Sequence, residues 1–171
     1  PTPGRDHALK LCIAAVLLVP CGVAHGDPRY TQSDFGGVGL LQTPTARMAP
    51  AGELSVNANR TEPYSRYSFS MQPLDWLEGT FRYTAITNRP YGAESFSGSQ
   101  SYKDKAVDAK VRLYQESHWL PEVAVGFMDL GGTGLFSSEY LVASKRYGDL
   151  DFSAGIAWGY MGSRGDIGNP L

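Results

Sequence analysis

A chain of 171 residues with a formal net charge of −2 has room for one domain and shows no basic stripe of the kind that nucleic-acid binding demands. Only 19% of the residues are charged, while Gly (20) and Tyr (10) are plentiful. Past the first stretch, no run approaches the ~20 apolar residues of a spanning helix, so a membrane crossing, if there is one, must use strands.

The first 26 residues form a separate object. Arg5 and Lys10 precede a short apolar core, Leu11–Val19, which Pro20 breaks. Gly22-Val23-Ala24 and Ala24-His25-Gly26 both place small residues at the two positions that signal cleavage reads. This is the pattern of a cleavable secretory signal peptide over 1–26, too short for an anchor. Both cysteines, Cys12 and Cys21, lie inside it. Leu18-Val19-Pro20-Cys21 has the outline of a lipidation site, although proline stands where a small unbranched residue is usual. Cleavage after Gly26 leaves no cysteine, hence neither a disulfide framework nor a thiolate metal site.

Residues 27–52 show no period. Gly36, Gly37 and Gly39 loosen this stretch, and Pro44, Pro50 and Gly52 punctuate it. It reads as an irregular segment before the sheet: a periplasmic lead-in, a plug inside a lumen, or an extra strand, and the sequence does not choose among these.

From Glu53 onward the pattern has period 2. Leu54, Val56 and Ala58 alternate with Ser55, Asn57 and Asn59. Tyr67, Phe69 and Met71 alternate with Arg66, Ser68 and Ser70. Leu77, Gly79, Phe81, Tyr83 and Ala85 alternate with Glu78, Thr80, Arg82 and Thr84. Val107, Ala109, Val111 and Leu113 alternate with Asp108, Lys110 and Arg112. Val123, Val125 and Phe127 make a weaker case, and Ser138–Tyr147 shows no clean face. The run from Leu150 to Tyr160 alternates again.

These seven segments approach the ~9–11 residues that cross a bilayer at a tilt, and exceed the ~5–6 of ordinary globular strands. Their links alternate between short (Pro73–Trp76, Gln115–Pro121, Gly148-Asp149) and long (Asn88–Asp104, Gly131–Ser137), as periplasmic turns and outside loops do; Thr61–Pro63 is a short exception. Trp76, Tyr114, Trp119 and Tyr147 fall at the short-turn ends, and Tyr64, Tyr83, Trp158 and Tyr160 toward the long-loop ends, where amphipathic rings would form two girdles. The expected fold is all-β: a transmembrane antiparallel β-barrel, here about seven strands over 53–171 of a larger up-and-down barrel. Outer-membrane lipid would meet the apolar face and water the charged one. A soluble β-sandwich would also alternate, with shorter strands.

Asp34–Glu53 (DFGGVGLLQTPTARMAPAGE), with Glu62-Pro63-Tyr64, Gln72–Glu78 and Thr80–Tyr83, resembles the N-terminal region of the YjbH family. Ser117–Pro121 and Gly155–Gly159 fit the same pattern. That family comprises outer-membrane barrel proteins linked to exopolysaccharide and capsule production in Gram-negative bacteria, and is much longer than this chain. The resemblance implies that the chain is an N-terminal fragment, exported to the outer membrane, with a part in secreting or assembling a polysaccharide. It brings no catalytic residues.

The residues themselves show little chemistry and call for no cofactor. After cleavage His118 is the sole histidine, in a short turn, and neighbouring Ser117 is not placed to share a proton with it. Glu78 and Asp108 could be a glycosidase pair, but they stand among basic residues that a mixed-sign wall explains. Those residues, Arg66, Arg82, Lys110 and Arg112, form an inward stripe that either guides an anionic polysaccharide or ion-pairs with Glu78 and Asp108. The segment before the first strand calls for a specific contact, with the barrel interior or with a periplasmic export protein. The expected function is thus a non-enzymatic barrel component of exopolysaccharide export. The alternatives are a barrel enzyme acting on lipid or glycan, and a secreted β-sandwich that binds carbohydrate.

Overall fold

The structure, a computed structural model, describes residues 30–162. The expected signal peptide and Cys21 lie outside the described residues. The fold is all-β and consists of two sheets. Three short strands, β1 (Gln32–Ser33), β2 (Gly36–Leu40) and β3 (Thr43–Pro44), pair antiparallel in that order. Seven longer strands follow as a meander in which each pairs antiparallel with the next: β4 (Leu54–Thr61), β5 (Tyr64–Leu74), β6 (Leu77–Pro90), β7 (Ser101–Tyr114), β8 (Glu122–Gly132), β9 (Ser138–Tyr147) and β10 (Leu150–Ala157). The second sheet curls into a half-barrel. A four-residue helix, α1 (Glu94–Ser97), sits in the link between β6 and β7, and a 3₁₀ turn over Gly159–Gly162 follows β10. The alternation expected to run on to Tyr160 therefore stops at Ala157.

The sheet is polar inside and apolar outside. Strand register carries the alternation from strand to strand: Val56 faces Phe69, Phe69 faces Phe81, and Phe81 faces Val107, all on the convex face. A second convex row runs Leu77, Val111, Val125, Leu141, Ile156. Of these two rows, Val56, Phe69, Phe81, Val107, Leu141 and Ile156 are exposed. The neighbours that alternate with them are buried on the concave face: Arg66, Ser68, Ser70 and Gln72 on β5, then Glu78, Thr80, Arg82 and Thr84 on β6. Such a sheet loses apolar contact on its outer side unless something apolar lies there, because burial of apolar area is the main favourable term in folding.

A small apolar core forms where the first sheet meets β8 and β9. Phe35 and Ala46 pack with Ala124, Met128, Tyr140 and Val142. Gly126 makes room for it. It pairs with Tyr140, and a Cβ there would lie 2.0 Å from Tyr140 Cζ, so the ring occupies the space a side chain would need.

Candidate functional site

The concave face is filled by residues 30–50, where no period is legible and where the three short strands form instead. β2 enters with two glycines in the left-handed region, Gly36 (φ 88) and Gly37 (φ 60). A Cβ on Gly36 would lie 2.7 Å from both Ser68 and Thr80, and one on Gly37 would lie 2.5 Å from Glu78 Oε1. Only glycine combines that conformation with so close an approach.

Strands β1 and β3 pair with only part of β2, and side chains of the wall satisfy further backbone groups of this buried segment. Gly37 N donates to Ser70 Oγ at 2.8 Å, and Ser70 and Thr80 share a hydrogen bond of 2.8 Å. Val38 N donates to Glu78 Oε2 at 2.9 Å. Lys110 Nζ donates to the carbonyls of Val38 and Arg47, each at 2.9 Å, and pairs with Glu78 Oε1 at 3.2 Å. Ala46 N donates to Ser144 Oγ at 2.9 Å. From β4, Asn57 and Asn59 donate to the carbonyls of Ser33 and Asp34 at 3.1 and 2.7 Å.

At the end where the short turns lie, Arg47 collects three carboxylates: Glu116 at 2.5 Å, Glu122 at 2.9 Å and Asp151 at 2.7 Å. Burial opposes its charge, but hydrogen bonds to Asp151, Glu116 and Glu122 outweigh burial and hold the guanidinium charged above its ordinary value. Burial would raise the Glu116 carboxyl. The Arg146 amide and the Arg47 and Lys145 side chains hydrogen-bond to it and keep it below the usual range. Arg47, Glu116, Glu122 and Arg146 border a cleft of about 480 Å³ that Tyr30 and Arg112 also line.

At the opposite end Phe35 lies between two guanidiniums, with Arg66 Cζ 4.9 Å and Arg82 Cζ 5.2 Å from its centroid. Phe136 and Tyr160 close over it, their centroids 4.9 Å apart. Tyr64 joins them, 5.8 Å from Phe136. Tyr64 and Tyr160, expected in the outer girdle, thus turn inward. Trp76, Tyr114, Trp119 and Tyr147 are exposed at the short-turn end, and Trp119, at 84%, is the most open.

The four basic residues expected on the inner face are all there, and Arg66 and Arg82 share the Phe35 ring. Arg82 pairs with Asp108 at 3.2 Å, Lys110 with Glu78, and Arg112 with Glu122 at 3.2 Å. Arg66 is 1% exposed and meets rings where the others meet carboxylates. Glu78 and Asp108 are each committed, Asp108 also accepting from Asp129 N at 2.7 Å. His118 stacks edge-on against Trp119 at 4.6 Å, and its carbonyl accepts from Lys145 at 3.1 Å. Ser117 Oγ accepts from Leu120 N at 3.2 Å. What sequence reasoning missed is Arg47. Its signal was its place in the densest part of the family likeness, Asp34–Glu53.

The family described as exopolysaccharide biosynthesis protein YbjH matches residues 31–171. The chain belongs to the YjbH family. A curated relative, the uncharacterized lipoprotein YjbH of Escherichia coli (strain K12), is 61% identical over 169 residues, which cover 98% of this chain. The YjbH-family chain spans 24% of that relative's length. No solved structure matches it. The stretch that carries the resemblance read from the sequence, Asp34–Glu53, includes β2 and β3 and extends through Arg47, so residues of that stretch make the contacts described above.

Proposed function

We propose that this chain forms part of an outer-membrane β-barrel that serves the export or assembly of an exopolysaccharide without itself catalysing a reaction. The observation that carries this reading is the reversed sheet, with rings and aliphatic side chains on the convex face and buried ion pairs on the concave one. The 14-residue lengths of β6 and β7 support it, since they exceed what a tilted crossing needs. The family's description supports the link to exopolysaccharide. Charged and polar groups of the wall hold residues 30–50 and are not free to meet a polymer. This favours a component that shapes and fills part of a barrel. The partners in this reading are outer-membrane lipid, an anionic polysaccharide and periplasmic export proteins.

The test is a strain lacking the full-length protein, with polymer measured on the surface and inside the envelope. An export role predicts loss from the surface with polymer retained inside, restored by complementation. Turnover of lipid or glycan by the purified full-length protein would overturn the non-enzymatic part.

Export by a cleavable signal peptide over 1–26 belongs to the same proposal and predicts Asp27 as the mature N-terminus. A second reading has an observation of its own: the curated relative is named a lipoprotein, and Cys21 closes the apolar run here. Mass spectrometry of the mature N-terminal peptide separates them, because acylation at Cys21 retains residues 21–26.

A further inference from the structure

Of the lysines and arginines described, four stand outside any ion pair: buried Arg66, and Arg89, Lys103 and Lys105. The last three gather at the root of one loop, the link between β6 and β7. Lys105 faces Tyr83 and Lys103 faces Ala85 across the β6–β7 pair, beyond the uncharged row of Phe81 and Val107. Against these three cations the link between Pro90 and Ser101 sets a single acid, Glu94.

The loop also presents aromatic rings in a fixed arrangement. The Arg89 guanidinium lies 4.3 Å over the Tyr102 ring, and Tyr102 lies 6.3 Å from Tyr91 at a tilt of 36°. Backbone bonds close the loop on itself: Tyr91 N to Gln100 O at 2.9 Å, Gly98 N to Glu94 O at 2.9 Å, and Gln100 N to Ser97 O at 3.2 Å. Tyr91 is 51% exposed and Phe96 is 86% exposed, so both keep ring area open to solvent. Ser95, Ser99 and Gln100 add hydroxyl and amide groups to the same loop, while Ser97 Oγ donates to Ala93 O at 3.1 Å.

We propose that this loop is a binding surface for an acidic saccharide, with Tyr91 and Phe96 as stacking platforms and Arg89, Lys103 and Lys105 as the attraction for its carboxylate or phosphate groups. A pyranose offers just these complements: a C–H face for a ring, hydroxyls for side-chain amides and hydroxyls, and, in acidic sugars, an anion for the cations. A lipid contact would call for an unbroken apolar patch, whereas here the rings are interleaved with polar side chains. Because the loop is held by its own hydrogen bonds, its groups are ordered before a ligand arrives, which lowers the entropic cost of binding. The proposal rests on the exopolysaccharide reading and moves the polymer contact from the occupied inner stripe to the outer end of β6 and β7.

The experiment uses the full-length protein in lipid nanodiscs, titrated by calorimetry with oligogalacturonic acid and, in parallel, with a neutral malto-oligosaccharide of equal length. The acidic oligosaccharide is expected to bind more tightly, with affinity falling as salt rises. Tyr91→Ala and Phe96→Ala are expected each to weaken it about tenfold. The triple variant Arg89→Gln, Lys103→Gln, Lys105→Gln is expected to remove both the preference for the acidic sugar and the salt dependence. These side chains lie outside the buried contacts, and a boiling-dependent mobility shift equal to that of the wild type confirms that each variant folds. Absence of binding, or equal binding by wild type and all variants, overturns the proposal. A Phe96→Trp variant whose fluorescence brominated lipid quenches overturns it as well, by placing the loop in the bilayer interface. The underlying reading fails separately, if a strain lacking the protein exports normal amounts of polymer.

Discussion

Lys110 shows how much of this fold depends on single polar side chains. Its ammonium is 2% exposed and joins Glu78 to two carbonyls of the inner segment. Replacing it with Met leaves Glu78 buried beside no cation, and a broken buried pair of this kind costs about 3–5 kcal/mol. Adding Glu78→Leu should recover part of that loss and no more, because the Val38 amide and the Val38 and Arg47 carbonyls still lose their partners. Denaturant unfolding of the two variants in detergent measures the difference. Gly37→Ala strains a left-handed residue and drives a methyl against Glu78, for an expected cost of about 1–3 kcal/mol. At Glu116 the sign of the pH effect follows from its lowered carboxyl. A group with a depressed folded value contributes stability above its unfolded value, near 4.5, and loses it as pH falls through the folded one. Unfolding midpoints should therefore drop on acidification below about pH 4.5. Glu116→Gln should flatten that part of the profile; an unchanged profile in the variant would show that Arg47 is held by its other carboxylates alone.

At the scale of elements, β6 and β7 were legible because each residue faces one of two unlike surroundings. Phe81 and Val107 point out, and Arg82 and Lys110 point in, so the sequence carries a clear period 2 over 77–85 and 107–113. β9 was not legible, for a local reason. Its inner residues Tyr140 and Val142 meet Phe35 and Ala46, so this part of the inner face is apolar and the contrast with Leu141 disappears. The first three strands were hidden because β1 and β3 have two residues each and β2 is fixed by distant side chains, Ser70, Glu78 and Lys110 among them. No local pattern can announce such contacts. The inward turn of Tyr64 and Tyr160 has the same origin, since it depends on Phe136, far away in sequence. The convex face yields its own prediction. Phe81→Arg places a charge in the row that runs from Val56 to Val107. Against lipid this costs about 2–4 kcal/mol and lowers the amount of assembled protein. Against water it would cost little, since Phe81 is 47% exposed in the isolated sheet. Quantifying the folded fraction of the full-length variant distinguishes the two surroundings.

At the scale of the whole molecule, the seven-stranded sheet has two free edges among the described residues, β4 and β10, each paired on one side only. Free edges invite pairing with other chains. The chain expressed alone should therefore give no reproducible single-channel conductance in planar bilayers; steady unitary steps would show that these strands close a pore without others. The central claim is that the convex face of the sheet meets lipid. Its most direct test is fractionation of the full-length protein, with gel mobility compared before and after boiling. Recovery in the outer membrane with a boiling-dependent shift is the predicted result, because a closed barrel resists unfolding in detergent until heated. Recovery as a soluble periplasmic protein without a shift would contradict the account, and would require another apolar surface to cover Val56, Phe69, Phe81 and Val107.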